Sequence, residues 1–200
     1  MYFLCTMHPD LPETNEENYI GEWLMLKERR KAIKDFYNEK HNIPLSIEHK
    51  ADNKYGSMTP ANERAGKILD LFLDKDGHMI AKCHLFSENK ESFKRINYGS
   101  HVNKEKWGVS PRIDWCMPDG LSGKINKHIT HLALTLTPYF DKYGTYIHDW
   151  NTNEKTMDAV IQRKYYKEND GKCFAMPELK NKIDYSMNLL YKKKNNGMLL

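Results

Sequence analysis

Two hundred residues carry 31 Lys+Arg against 27 Asp+Glu, a formal charge of +4. A chain of this length can bury a substantial core within one domain without a disulfide or metal staple, and its mild, evenly spread charge falls short of a nucleic-acid footprint. Its four cysteines form no Cys-x-x-Cys pair, which argues against a cysteine-built zinc site; no run nears the roughly 20 apolar residues of a membrane span, and the N-terminus lacks the basic lead and apolar core of a signal peptide.

Residues 1–7 read as a short strand that ends at His8-Pro9-Asp10-Leu11-Pro12, where the prolines impose an extended loop. From Glu22 to about Glu39, Trp23, Leu26, Ile33 and Phe36 recur near helical spacing among charged residues, and Asn42-Ile43-Pro44 stops the helix. Leu45-Ser46-Ile47-Glu48-His49 alternates as a strand with Leu45, Ile47 and His49 on one face. A hairpin follows, Ile68–Leu73 and His78–Leu85 around an Asp-Gly turn. Ser87 to Asn97 reads as a helix capped by Ser87.

Two strands then carry most of the information. Along 107–116, Trp107, Val109, Ile113 and Trp115 take one face, while Gly108, Ser110, Arg112, Asp114 and Cys116 take the other. Pro111 removes a ladder donor, which suits an edge or an irregular stretch. Along 128–137, His128 shares parity with Leu132, Leu134 and Leu136, and His131 falls with Ala133, Thr135 and Thr137. Two histidines on opposite faces make a poor metal clamp, and His131, beside small residues, is the one placed to face a polar cleft. A short strand at 145–148 and helices over 155–167 and 177–193 complete the chain. The last of these is apolar enough that it must dock on its own domain or on another chain.

A serine hydroxyl is a weak nucleophile that needs a histidine base, whose ring a third group orients. Ser110, His131 and His49 all sit in segments of strand character and could make such a set, or could be ordinary strand residues. Cys83 and His84, adjacent on a strand, point to opposite faces, so Cys83 reads as a core residue. Glu48 reads as a surface residue, His8 and Asp10 as loop residues, and Asp114 as either a histidine-orienting or a solvated carboxylate. Pro118-Asp119-Gly120 reads as a turn.

The order of these pieces resembles the herpesvirus capsid maturation proteases, the assemblins. Ile43-Pro44-Leu45-Ser46-Ile47-Glu48-His49 is similar to the family segment carrying its first histidine. Gly108-Val109-Ser110 is similar to the nucleophile segment, and His131-Leu132-Ala133-Leu134 to the strand carrying the second histidine. The Gly-Val-Ser-Pro-Arg segment is also similar to tailed-phage prohead proteases. The resemblance implies Ser110 as nucleophile, with His131 and His49 as its histidine partners in a Ser-His-His triad. A neutral third histidine stabilises an imidazolium less than an aspartate does, so slow catalysis is expected. One departure stands out: the family has paired arginines eight and nine positions after the second histidine, where this chain has Tyr139 and Phe140. The oxyanion is then left to backbone amides, to Arg112 or to another donor, and Arg112, two residues after Ser110 and on its face, is the candidate taken as the hypothesis.

The expectation is therefore one α+β domain over residues 1–200, a mainly antiparallel β-barrel (about 1–150) surrounded by helices, with C-terminal helices at about 155–193. The resemblance implies a serine endopeptidase that processes a viral scaffold protein and its own precursor. It further implies a homodimer within assembling capsids inside the host cell, in its nucleus, with no cofactor, metal, nucleic acid or membrane partner. The competing reading is a catalytically inactive barrel serving as a structural or scaffold-binding capsid protein.

Overall fold

The computed structural model describes residues 1–10, 23–38, 43–48, 64–116, 126–140 and 143–167. Its strands are β1 (Tyr2–His8), β2 (Pro44–Ile47), β3 (Gly66–Leu73), β4 (Met79–Leu85), β5 (Gly108–Cys116), β6 (Asn126–Thr135) and β7 (Ile147–Asn151). The helices are α1 (Leu26–Asn38), α2 (Lys90–His101) and α3 (Glu154–Ile161), which runs on into a π-helical turn at Gln162–Lys167. The expected helix at 177–193 lies outside the described residues, and among those that are described no helix is long and apolar enough to cross a membrane.

The seven strands among the described residues form one sheet, ordered β5-β6-β2-β3-β4-β1-β7. Every pairing is antiparallel except β2 with β6, which run parallel with Leu45 opposite Leu132 and Ser46 opposite Ala133. The sheet is therefore mixed. It curls until its ends meet: Gly108 bridges Tyr146, with Val109 N–H donating to Thr145 O at 2.9 Å and Ile147 N–H to Trp107 O at 3.0 Å.

Strand alternation sorts the apolar residues into two layers. Phe3, Cys5 and Met7 of β1 and Met79, Ala81, Cys83 and Leu85 of β4 join Leu45, Val109, Leu132 and Leu134 in the main core. Leu4, Phe72 and Ile80 point the other way and pack beneath Met157, Ile161 and Tyr165, so α3 and its extension cover that face. Lys82 shares this outer face, almost fully buried, and reaches Glu154 (2.8 Å) and Asp158 (2.5 Å) on α3. As expected, Cys83 is core, while His84 faces outward and stacks on Tyr2 at 4.6 Å.

The β3–β4 hairpin is held by Asp74, whose Oδ1 accepts the amides of Asp76 (3.0 Å) and His78 (2.8 Å). Gly77 supplies the left-handed φ of 84°. Two expectations are corrected. The cap of α2 is Asn89, whose side chain accepts from Ser92 N–H, rather than Ser87. His8 and Asp10 are an anchor rather than a plain loop. His8 is fully buried, accepts Leu24 N–H at Nε2 (2.9 Å) and donates from Nδ1 to Pro9 O (2.7 Å). Arg29 of α1, also buried, donates to Pro9 O at 2.8 Å and pairs with Asp10. Proline separation could not reveal this, because the partners come from an element some twenty residues on.

Candidate functional site

Among the described residues, strand β5 is bonded to β6 along its whole length and to the β7 segment at its start alone, which leaves its other edge open. Because Val109 N–H points to Thr145, the amide positions of odd-numbered residues face away from β6. Pro111 therefore places its missing N–H on the open edge and costs the ladder nothing, the arrangement a proline in a sheet requires. Gly108 is fixed by close approach, since a Cβ there would lie 2.8 Å from Thr145 O and 2.8 Å from Pro138 Cγ.

The register pairs Ser110 with Ala133 and Arg112 with His131. Residues directly opposite on antiparallel strands project to the same face, so Ser110, Arg112, Ala133 and His131 share one side, away from Val109 and Leu134. Ser110 and His131 are diagonal neighbours, separated at the backbone by about 7 Å, a gap that an imidazole spans. Both are buried, Ser110 4% and His131 0% exposed. Arg112 is half-exposed and donates from Nε to Asp114 Oδ1 at 2.9 Å.

The separation of the two histidines by parity does not survive. The register slips between Arg112 and Ile113, so Asp114 faces His128 while Arg112 faces His131. One extra residue on β6 resets its alternation, and both histidines end on the even-numbered side of β5. His128 is exposed there and His131 is not. A bulge leaves no sequence mark that distinguishes it from continuous alternation.

His49 lies outside the described residues, but the residue before it is informative. Along β2, alternation sets Leu45 opposite Leu132, on the face away from Ser110. Glu48 ends that alternation with φ of 51°, a left-handed conformation uncommon outside glycine. Its amide donates to Leu134 O at 2.9 Å, and its carboxylate lies 3.5 Å from Arg95 of α2. Glu48 is thus a surface residue, as expected, and also the point where β2 turns. Another residue that the sequence did not single out is Ser46. It is 2% exposed, and its Oγ has no hydrogen-bond partner among the described residues. Its pairing with Ala133 sets it on the same face as Ser110 and His131.

At the positions of the family's arginine pair, Tyr139 is exposed and Phe140 is core. Phe140 packs on His8 at 4.8 Å and on Trp23 at 5.6 Å. Elsewhere, ligand atoms of Asp74, Asp76 and His78 lie within 4.8 Å of one another. Two of the three already serve the fold: Asp74 Oδ1 takes two turn amides and His78 Nδ1 accepts Asp10 N–H. Among the other histidines, burial pulls the His8 ring down to about 3, with the nearby Arg29 and Lys127 cations adding to the effect. Burial also lowers His84 and His148, the latter against its hydrogen bond to Asp149.

No protein-family model matches the chain, and no curated protein matches it. Among solved structures, it is similar to the Kaposi's sarcoma-associated herpesvirus (KSHV) protease in complex with a hexapeptide phosphonate inhibitor. The identity is 14% over 82% of this chain and 75% of that one, with a TM-score of 0.43. It is similar also to the same viral protease with an allosteric inhibitor and with a dimer disruptor. Each is 15% identical over 81% of this chain and 87% of that one, with TM-scores of 0.38 and 0.39. A kinship to phage prohead proteases is not shown by these comparisons.

Proposed function

We propose that the chain is a serine endopeptidase in which Ser110 is the nucleophile and His131 its base. What supports this reading is the placement of Ser110 and His131 as buried diagonal neighbours on one face of β5 and β6. Ser110 Oγ attacks the scissile carbonyl while His131 takes its proton. The tetrahedral oxyanion collapses to an acyl-enzyme as the protonated ring returns the proton to the leaving amine, and water then repeats the cycle on the ester. His49 is the third member of the set, following the motif it ends. Arg112, next along the same face, is the oxyanion donor, released from Asp114 as charge develops on the substrate. The substrate binds extended: Pro111 and Ile113 turn main-chain groups to the open edge of β5, where a peptide can add as a strand.

The biological substrate in this reading is a viral scaffold protein, along with the enzyme's own precursor, cleaved within assembling capsids in the host nucleus. The active form is a homodimer. The experiment is covalent labelling with a peptidyl diphenyl phosphonate. Wild type reacts at Ser110, and Ser110→Ala does not. Absence of reaction with folded wild type, or labelling that survives Ser110→Ala, removes the assignment.

One observation favours the competing reading of an inactive scaffold-binding barrel. Phe140 is built into the core against His8, so that position supplies no cation to an oxyanion. The same labelling experiment separates the two.

A further inference from the structure

Ser46 sits mid-strand in β2 between Leu45, which is core, and Ile47, which packs against the core. The residue is 2% exposed, and its hydroxyl is without a hydrogen-bond partner among the described residues. An unpaired buried hydroxyl destabilises the fold, and alanine would fill the same backbone position without that cost. Among the described residues, folding therefore gives no reason for serine here.

The register gives one. Ser46 and Ser110 are both opposite Ala133, from strands on either side of it, so β2, β6 and β5 carry a row Ser46–Ala133–Ser110 on one face. His131, two residues before Ala133, is diagonal to both serines. Ala133 has no side chain beyond Cβ to separate them. An imidazole has two ring nitrogens, and one that serves Ser110 leaves the other for an orienting group on the opposite flank.

We infer that Ser46 is a positioning residue whose hydroxyl, on rotation about χ1, accepts the N–H of His131 on the side away from Ser110. This rests on the endopeptidase reading above. The contact holds the ring in the tautomer that can take the Ser110 proton and stabilises the imidazolium once it forms. Such contacts are commonly long before substrate binds and tighten in the reacting complex.

The test uses the full chain, measuring the pH dependence of the rate at which a peptidyl diphenyl phosphonate labels Ser110, together with thermal melting. Ser46→Ala is expected to label at least about 10-fold more slowly at neutral pH. Its profile should shift to a lower apparent pKa, because the imidazolium has lost an acceptor. Its melting temperature should be equal or higher. Ser46→Thr, which restores the hydroxyl, should recover most of the rate. Wild-type rate and profile in Ser46→Ala overturn the inference. So does a slower rate with an unshifted profile, or one that Thr does not rescue, since those report packing. Wild type that fails to label at Ser110 overturns the endopeptidase reading itself and the Ser46 role with it.

Discussion

His8 makes the fold's dependence on pH calculable. Its ring is enclosed between Leu24 N–H, Pro9 O and Phe140, and burial lowers its pKa to about 3 from the ordinary 6.5. The folded state holds the neutral ring, while the unfolded chain binds a proton below the ordinary value. The stabilisation is thus complete above 6.5 and is lost as pH falls from there towards 3. Integrating that proton uptake gives a loss of about 2 kcal/mol between pH 7 and pH 5 from this one side chain. His8→Gln can accept from Leu24 and donate to Pro9 without titrating. Urea unfolding of both proteins at pH 7 and pH 5 isolates the contribution, because other titrating groups cancel in the difference. The variant should start less stable at pH 7 and lose about 2 kcal/mol less on acidification. Parallel losses in the two proteins would refute the account of a buried neutral ring.

Removing the two acids that hold Lys82 should cost more than removing Lys82. Glu154→Gln with Asp158→Asn leaves an almost buried cation unpaired, at roughly 3 kcal/mol by denaturant unfolding, whereas Lys82→Met leaves only half-exposed carboxylates that water can solvate, at about 1 kcal/mol. Gly66→Ala should lower stability by roughly 3 kcal/mol or more, since its Cβ would stand 2.0 Å from His84 O with β3 held on both sides. Arg112→Ala should slow peptide hydrolysis about 100-fold with little change in melting temperature, and near wild-type turnover would end its oxyanion role. Replacing His131 by alanine should suppress hydrolysis by roughly 1,000-fold or more, and retained turnover would show that another group takes the Ser110 proton.

Much of the chain could be read locally. The hairpin was legible because Asp74 and Gly77 carry turn chemistry in themselves. The helix over 26–38 was legible from Ile33 and Phe36 at helical spacing, both of which are buried. Ser110 and Arg112 were placed on the face away from Val109 by alternation alone, and β5 is regular enough to keep them there. What alternation could not supply was anything set by a neighbouring strand. The slip opposite Arg112 and Ile113 moved His128 to the face of His131, and the left-handed Glu48 ended the alternation of β2.

Ser46 and Phe140 make the same division from the other side. Nothing local marks Ser46, since a serine in a short apolar strand is commonplace and becomes significant only when β2 is laid parallel to β6 beside Ala133. Phe140 marked a missing arginine in sequence, and only packing against His8 and Trp23 shows what the position does instead. The chain by itself determined where strands and helices form and which residues of β5 share a face, because periods of two and of about 3.6 residues are properties of the backbone. Only the tertiary structure decided which strands lie side by side and in what register. That choice depends on burying faces contributed by residues far apart in the chain, and it alone brings Ser110, His131 and Ser46 to one surface.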